Sequence, residues 1–106
     1  MSTLNLTLLT DLYELTMMQG YFKKGNRDVV VFDAFYRNNP CGGGYSICAG
    51  LEQVIDYIEN LHFDADDISY LRSLHIFDED FLEYLSNFKF SGDIYAVPEG
   101  SLIFPR

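Results

Sequence analysis

Tryptophan is absent, and basic residues are scarce: seven Lys and Arg stand against 16 Asp and Glu, a net charge of −9. Each shortage closes off a class of function. A free-standing nucleic-acid binder presents a basic patch, and none is visible here. A phosphate-rich ligand would be repelled unless cations from elsewhere joined its site. Cys41 and Cys48 lack the Cys-x-x-Cys spacing, and His62 and His75 complete no metal set with them. Two free thiols in an intracellular protein are the simpler reading. No apolar run is long enough to span a bilayer, and no basic stretch leads into an apolar core at the N-terminus. The expectation is a cytoplasmic protein that neither crosses a membrane nor binds nucleic acid.

What is present is apolar and aromatic. The 106 residues are 48% hydrophobic and 16% aromatic, enough for one domain, or part of one, with a real core. That aromatic content exceeds what so small a domain easily hides and points to an adhesive face.

The organising stretch is Thr10 to Phe22, TDLYELTMMQGYF. Asp11 followed by Glu14 predicts a helix N-terminus with a capping box over Asp11 to Phe22. Leu8, Leu12, Leu15, Met18 (or Gln19) and Phe22 form one row, and Tyr13, Met17 and Tyr21 a second. A helix apolar on more than one side needs cover on more than one side. On residue chemistry alone Asp11 is a cap and Tyr13 a packing residue. Two apart, they share a site only if Asp11 sits at the cap, outside regular helix geometry.

Lys23, Lys24 and Gly25 end this helix. Val29 to Arg37 then reads as a strand, with Val30, Phe32, Ala34 and Tyr36 on the core face. Arg37, alone, is a solvated strand end paired with Asp33. The loop Asn38 to Gly44, NNPCGGG, has the glycines of a phosphate cradle but neither the Gly-Lys-Ser/Thr ending of a P-loop nor a dinucleotide fingerprint. Tyr45 to Cys48 is expected to return antiparallel to the first strand. A helix from Ala49 or Gly50 follows, with Leu51, Val54, Ile55, Ile58 and Leu61 as its stripe.

Two shorter helices come next. One opens on the acidic run Asp64 to Asp67, and Asp78 caps the other, with Phe81, Leu82, Leu85 and Phe88 as its buried row. Strands over Asp93 to Val97 and Ser101 to Phe104 flank a Pro98-Glu99-Gly100 turn that suits type I. The pattern stops at Pro105-Arg106 and reads as cut short.

The segments TDLYELTMMQGYF, FDAFYRNNPCGGGYSICAGLEQVIDYIENL and GDIYAVPEGSLIFP, in this order, resemble the N-terminal part of nicotinate phosphoribosyltransferase. The likeness runs from Leu8 to Pro105. It implies an α+β fold: the N-terminal domain of a type II phosphoribosyltransferase, spanning residues 1–106, with a small antiparallel or mixed sheet and packed helices. The family's larger α/β barrel is missing from this chain. The resemblance implies formation of nicotinate mononucleotide and diphosphate from nicotinate and 5-phosphoribosyl-1-diphosphate in NAD salvage. It also implies ATP hydrolysis, Mg2+ accompanying the donor, and active sites at a homodimer interface. Carried over by residue, Tyr13 resembles the aromatic that stacks on the pyridine ring in the partner subunit's active site, with Asp11 nearby. Arg37 resembles the strand-end arginine on the donor's phosphates. A nicotinamide-specific enzyme and a non-catalytic α+β assembly module are the alternatives, and the 106 residues alone are expected to be inactive.

Overall fold

A computed structural model describes residues 5–104. The chain divides into two compact units, one from Met1–Asp28 with Glu59–Phe90 and one from Val29–Ile58 with Ser91–Arg106. The elements are α1 (Leu12–Lys24), a 3-10 turn (Pro40–Gly42), β1 (Ser46–Ile47), α2 (Leu51–Glu59), α3 (Ala65–Ser73), α4 (Glu79–Ser86) and β2 (Leu102–Ile103). Helices and a small antiparallel sheet together make the expected α+β fold.

The first unit is helical and holds every buried apolar residue among those described: Leu15, Phe63, Ile68, Leu71, Phe77, Phe81, Leu82 and Leu85. Helix α4 contributes Phe81, Leu82 and Leu85, each fully buried, and packs on α3 and α1. Phe22 of α1 meets Phe81 at a centroid distance of 5.7 Å and Tyr84 at 4.8 Å. The row predicted for α1 is confirmed at Leu15, which is buried, and at Leu8, Met18 and Phe22, which flank the core. Leu12 stays half exposed.

Helix ends explain where these elements start and stop. Gly25 takes φ 67°, and its N–H donates to the Phe22 carbonyl while Asn26 N–H reaches Tyr21. This left-handed closure satisfies carbonyls that the helix would otherwise leave open. Asp64 caps α3 with the full reciprocal box: its carboxylate accepts from Asp67 N–H at 2.8 Å, and Asp67 accepts from Asp64 N–H at 3.0 Å. The Asn5 amide braces both carboxylates, donating to Asp67 at 2.9 Å and Asp64 at 3.2 Å.

Two expected caps are not made. Asp11 holds the extended N-cap backbone of α1 without a side-chain bond to it, and the Glu14 carboxylate accepts the Thr10 hydroxyl instead of reaching back, so neither half of the box forms. Asp78 likewise stands at the N-cap of α4 without capping it. Its carboxylate pairs with Lys23. Its N–H donates to Gln19 Oε1 at 2.8 Å, and Gln19 Nε2 donates to the Ile76 carbonyl at 3.1 Å. Tertiary contacts with α1 displaced the local bonds.

The second unit contains no buried residue among those described. Its sheet is the antiparallel pair β1–β2, with Ser46 opposite Ile103 and Ile47 opposite Leu102. The contact extends past the strands: Cys48 N–H donates to the Ser101 carbonyl at 2.8 Å, and Gly100 N–H to the Cys48 carbonyl at 2.7 Å. Tyr45 to Cys48 therefore pairs with the end of the described chain rather than with the Val29 segment.

Val29 to Arg37 is not a strand. Val29, Val31 and Phe32 are 94%, 88% and 88% exposed, and of the expected core face only Tyr36 is half buried. The composition suits a strand, but a strand persists only where a neighbour takes its N–H and C=O groups, and no described segment does so. Asp93 to Val97 is irregular for the same reason. The turn before β2 also shifts by one residue. Ser101 N–H closes on the Pro98 carbonyl at 3.1 Å, putting Gly100 (φ 86°) third in a type II turn instead of last in a type I turn.

Candidate functional site

Tyr13, one residue into α1, is 60% exposed, and Met17 and Tyr21 below it are about half exposed. The i, i+4 spacing stacks these side chains on one stripe, and α4 covers the opposite side of the helix through Leu15 and Phe22. The stripe is thus an aromatic and thioether surface that the first unit leaves open. Asp11 lies just outside the helix, exposed, with a carboxylate that the missing cap leaves available. Asp11, at the N-cap, and Tyr13, in the first turn, both lie exposed at the start of α1.

Arg37 belongs to the second unit. It is exposed and joins none of the ion pairs among the described residues, so the expected pairing with Asp33 is not made. The chain bends at Arg37 and Asn38. The two flanks of this bend are joined: Tyr36 Oη lies 3.0 Å from Asn39 Oδ1 and donates to the Ile103 carbonyl at 2.8 Å. Tyr36 and Asn39 are half buried, while Arg37 and Asn38 are exposed between them. By residue pattern alone Tyr36 falls on a core face and Asn39 in a loop. The Asn39-Pro40 step was the one local signal for a fixed corner.

In the glycine-rich loop, Gly43 N–H donates to the Pro40 carbonyl at 3.0 Å, so that amide closes the turn instead of facing a phosphate. His62 Nδ1 sits 2.7 Å from the Asn60 carbonyl. Among the described residues no group of three His, Cys, Asp or Glu could hold a metal ion. No described helix is long and apolar enough to cross a membrane.

Elsewhere in the first unit an open depression of about 480 Å³ is lined by Arg72, Glu79, Asp80, Glu83 and Leu82 among others. Arg72 is committed there to Glu79 through two parallel bonds of 2.8 and 3.0 Å. That pairing raises the arginine's pKa and lowers the carboxyl's, both chiefly through the shared hydrogen bonds. With its cation neutralised and acids around it, the depression does not suit an anionic ligand.

Residues 8–106 match the nicotinate phosphoribosyltransferase (NAPRTase) N-terminal domain family. A nicotinate phosphoribosyltransferase of Mycobacterium tuberculosis is 44% identical over 99 residues, covering 93% of this chain and 21% of the relative. That of Bacillus subtilis is 41% identical over 101 residues, covering 94% and 21%. Nicotinate phosphoribosyltransferase 1 of Arabidopsis thaliana is 41% identical over 102 residues, covering 93% and 18%. The chain spans about a fifth of the length of these curated relatives. Matched over residues 8–106, the chain belongs to the nicotinate phosphoribosyltransferase family, as that family's N-terminal domain.

Proposed function

We propose that this chain is the N-terminal part of an enzyme that joins nicotinate to 5-phosphoribosyl-1-diphosphate, forming nicotinate mononucleotide and diphosphate with ATP hydrolysis. The carrying observation is the family match over residues 8–106. Tyr13 stacks on the pyridine ring, a flat electron-poor surface suited to an aromatic neighbour. The stacking surface belongs to a partner subunit's site, and the open Tyr13, Met17 and Tyr21 stripe supports such an interface. Asp11 lies beside that ring, and Arg37 offers a planar guanidinium to the donor's phosphates. The remaining basic groups, the ATP site and a barrel domain lie on segments outside these residues. Mg2+ accompanies the donor; the residues described here include no ligand set for it.

The reading is tested with the full-length enzyme that carries these 106 residues. Incubation with ATP, Mg2+ and the donor should give the mononucleotide of nicotinate in preference to that of nicotinamide. A preference for nicotinamide would identify the amide-specific enzyme. No turnover with either would favour an assembly module. The 106-residue chain alone should show no turnover, since a net charge of −9 opposes binding of a polyanionic donor.

A further inference from the structure

The bend that carries Arg37 is held by side chains. A backbone turn alone would leave the Arg37 and Asn38 tip hinged to an exposed, unpaired segment, since Val29 to Phe35 is fixed by no strand ladder. The Tyr36 hydroxyl prevents this by reaching the Ile103 carbonyl, 67 residues further along the chain, at 2.8 Å. Ile103 is a β2 residue held opposite Ser46, so the tyrosine ties the bend to the unit's sheet. The same hydroxyl meets the Asn39 side chain at 3.0 Å and closes the corner from its other side. A hydroxyl has one proton. With the Asn39 amide turned so that Nδ2 donates to the tyrosine oxygen, that proton is left for Ile103, and both contacts are satisfied together.

We infer that Tyr36, through its hydroxyl bonds to Ile103 and Asn39, is a positioning residue that holds Arg37 towards the phosphates of the ribosyl donor. The inference rests on the donor-binding reading of Arg37 and extends it. Apolar contact is non-directional and would let the tip slide, whereas a hydrogen bond fixes distance and angle. Tyr36 and Asn39 need not touch the donor. Their effect passes through the backbone of the two residues between them.

The test uses the full-length enzyme with Tyr36→Phe, which deletes one oxygen and keeps the ring. The KM for the donor should rise roughly three- to tenfold, the range of one neutral hydrogen bond. The KM for nicotinate and the thermal midpoint should stay near wild type. Asn39→Ala should move the donor KM in the same direction. Arg37→Ala should raise the donor KM by itself, and adding Tyr36→Phe to it should raise it no further, because a positioning residue has nothing left to position. If Arg37→Ala raises the donor KM and Tyr36→Phe does not, the positioning role is overturned and donor binding by Arg37 stands. If Tyr36→Phe acts equally strongly with Arg37 already removed, the hydroxyl does not work through the arginine. If Arg37→Ala leaves the donor KM unchanged, the donor reading falls, and the positioning role falls with it.

Discussion

The Glu99 carboxylate accepts the backbone N–H of Gly50 at 2.9 Å, and its other oxygen accepts Leu51 N–H at 3.2 Å. Helix α2 thus begins on a cap supplied from 49 residues away. The negative charge also sits where the helix dipole favours it. The same turn joins β1 through Cys48, so one side chain couples the helix start to the sheet.

Removing this cap should loosen the second unit first. Glu99→Ala is expected to cost about 1 kcal/mol, the usual value of an N-cap. Amide exchange at Gly50 and Leu51 should accelerate more than exchange at Leu82 or Leu85 in α4. Glu99→Gln keeps an acceptor and should recover part of the loss. Unchanged exchange at Gly50 in the alanine variant would refute the capping role.

The core predicts a sharp contrast between apolar substitutions. Leu85 is fully buried, so Leu85→Ala should destabilise the chain by roughly 2–5 kcal/mol through lost burial and a residual cavity. Val31 is 88% exposed, and Val31→Ala should stay within about 0.5 kcal/mol. Denaturant unfolding of the 106-residue chain measures both.

Acid should weaken the first unit at identified places. The Asp64 carboxyl is held below its ordinary value of 3.8 by Asp67 N–H and then by the Asn5 amide. Glu79 is held below 4.5 by its hydrogen bond from Arg72. Both pKa values are depressed on folding, so their contributions are full above those ordinary values and vanish as pH falls through the lower folded ones. The thermal midpoint should therefore drop as pH falls below about 4.5, and Asp64→Asn should flatten the lower part of that drop. A midpoint whose acid slope is identical in the variant would remove Asp64 from the account.

Substrate dependence separates Tyr13 from Arg37 in the full-length enzyme. Tyr13→Ala removes the stacking face and should mainly weaken nicotinate, by about 0.5–1.5 kcal/mol beyond lost area. Tyr13→Phe should be much milder. Arg37→Ala should instead raise the apparent donor constant, by roughly 1.5–3 kcal/mol for a bond to a charged group. Arg37→Lys should restore only part, since a point charge does not reproduce a planar fork. Kinetics with each substrate varied separately, on variants shown to fold and assemble, decide it. Constants unchanged for both would leave a surface tyrosine and a solvated arginine.

The sequence by itself determined what depends on near neighbours. The 3.6-residue spacing of Leu15, Met18 and Phe22 sets the inner side of α1 and leaves Tyr13, Met17 and Tyr21 outside. Asp64 and Asp67 form their box within one turn, and Gly25 stops α1 through its own φ. Those interactions join residues a few positions apart, so the local string contains both partners. Tertiary structure decided the rest. Val29 to Arg37 has the residues of a strand, but strand formation depends on a neighbour that composition does not announce. Asp78 looks like a cap and Tyr36 like core, until Lys23 claims the one and the Ile103 carbonyl the other. The stripe around Tyr13 was legible because it is one helix repeating its own spacing. The latch beside Arg37 was not, because a hydroxyl finds its acceptor only after the chain has closed a loop of 67 residues.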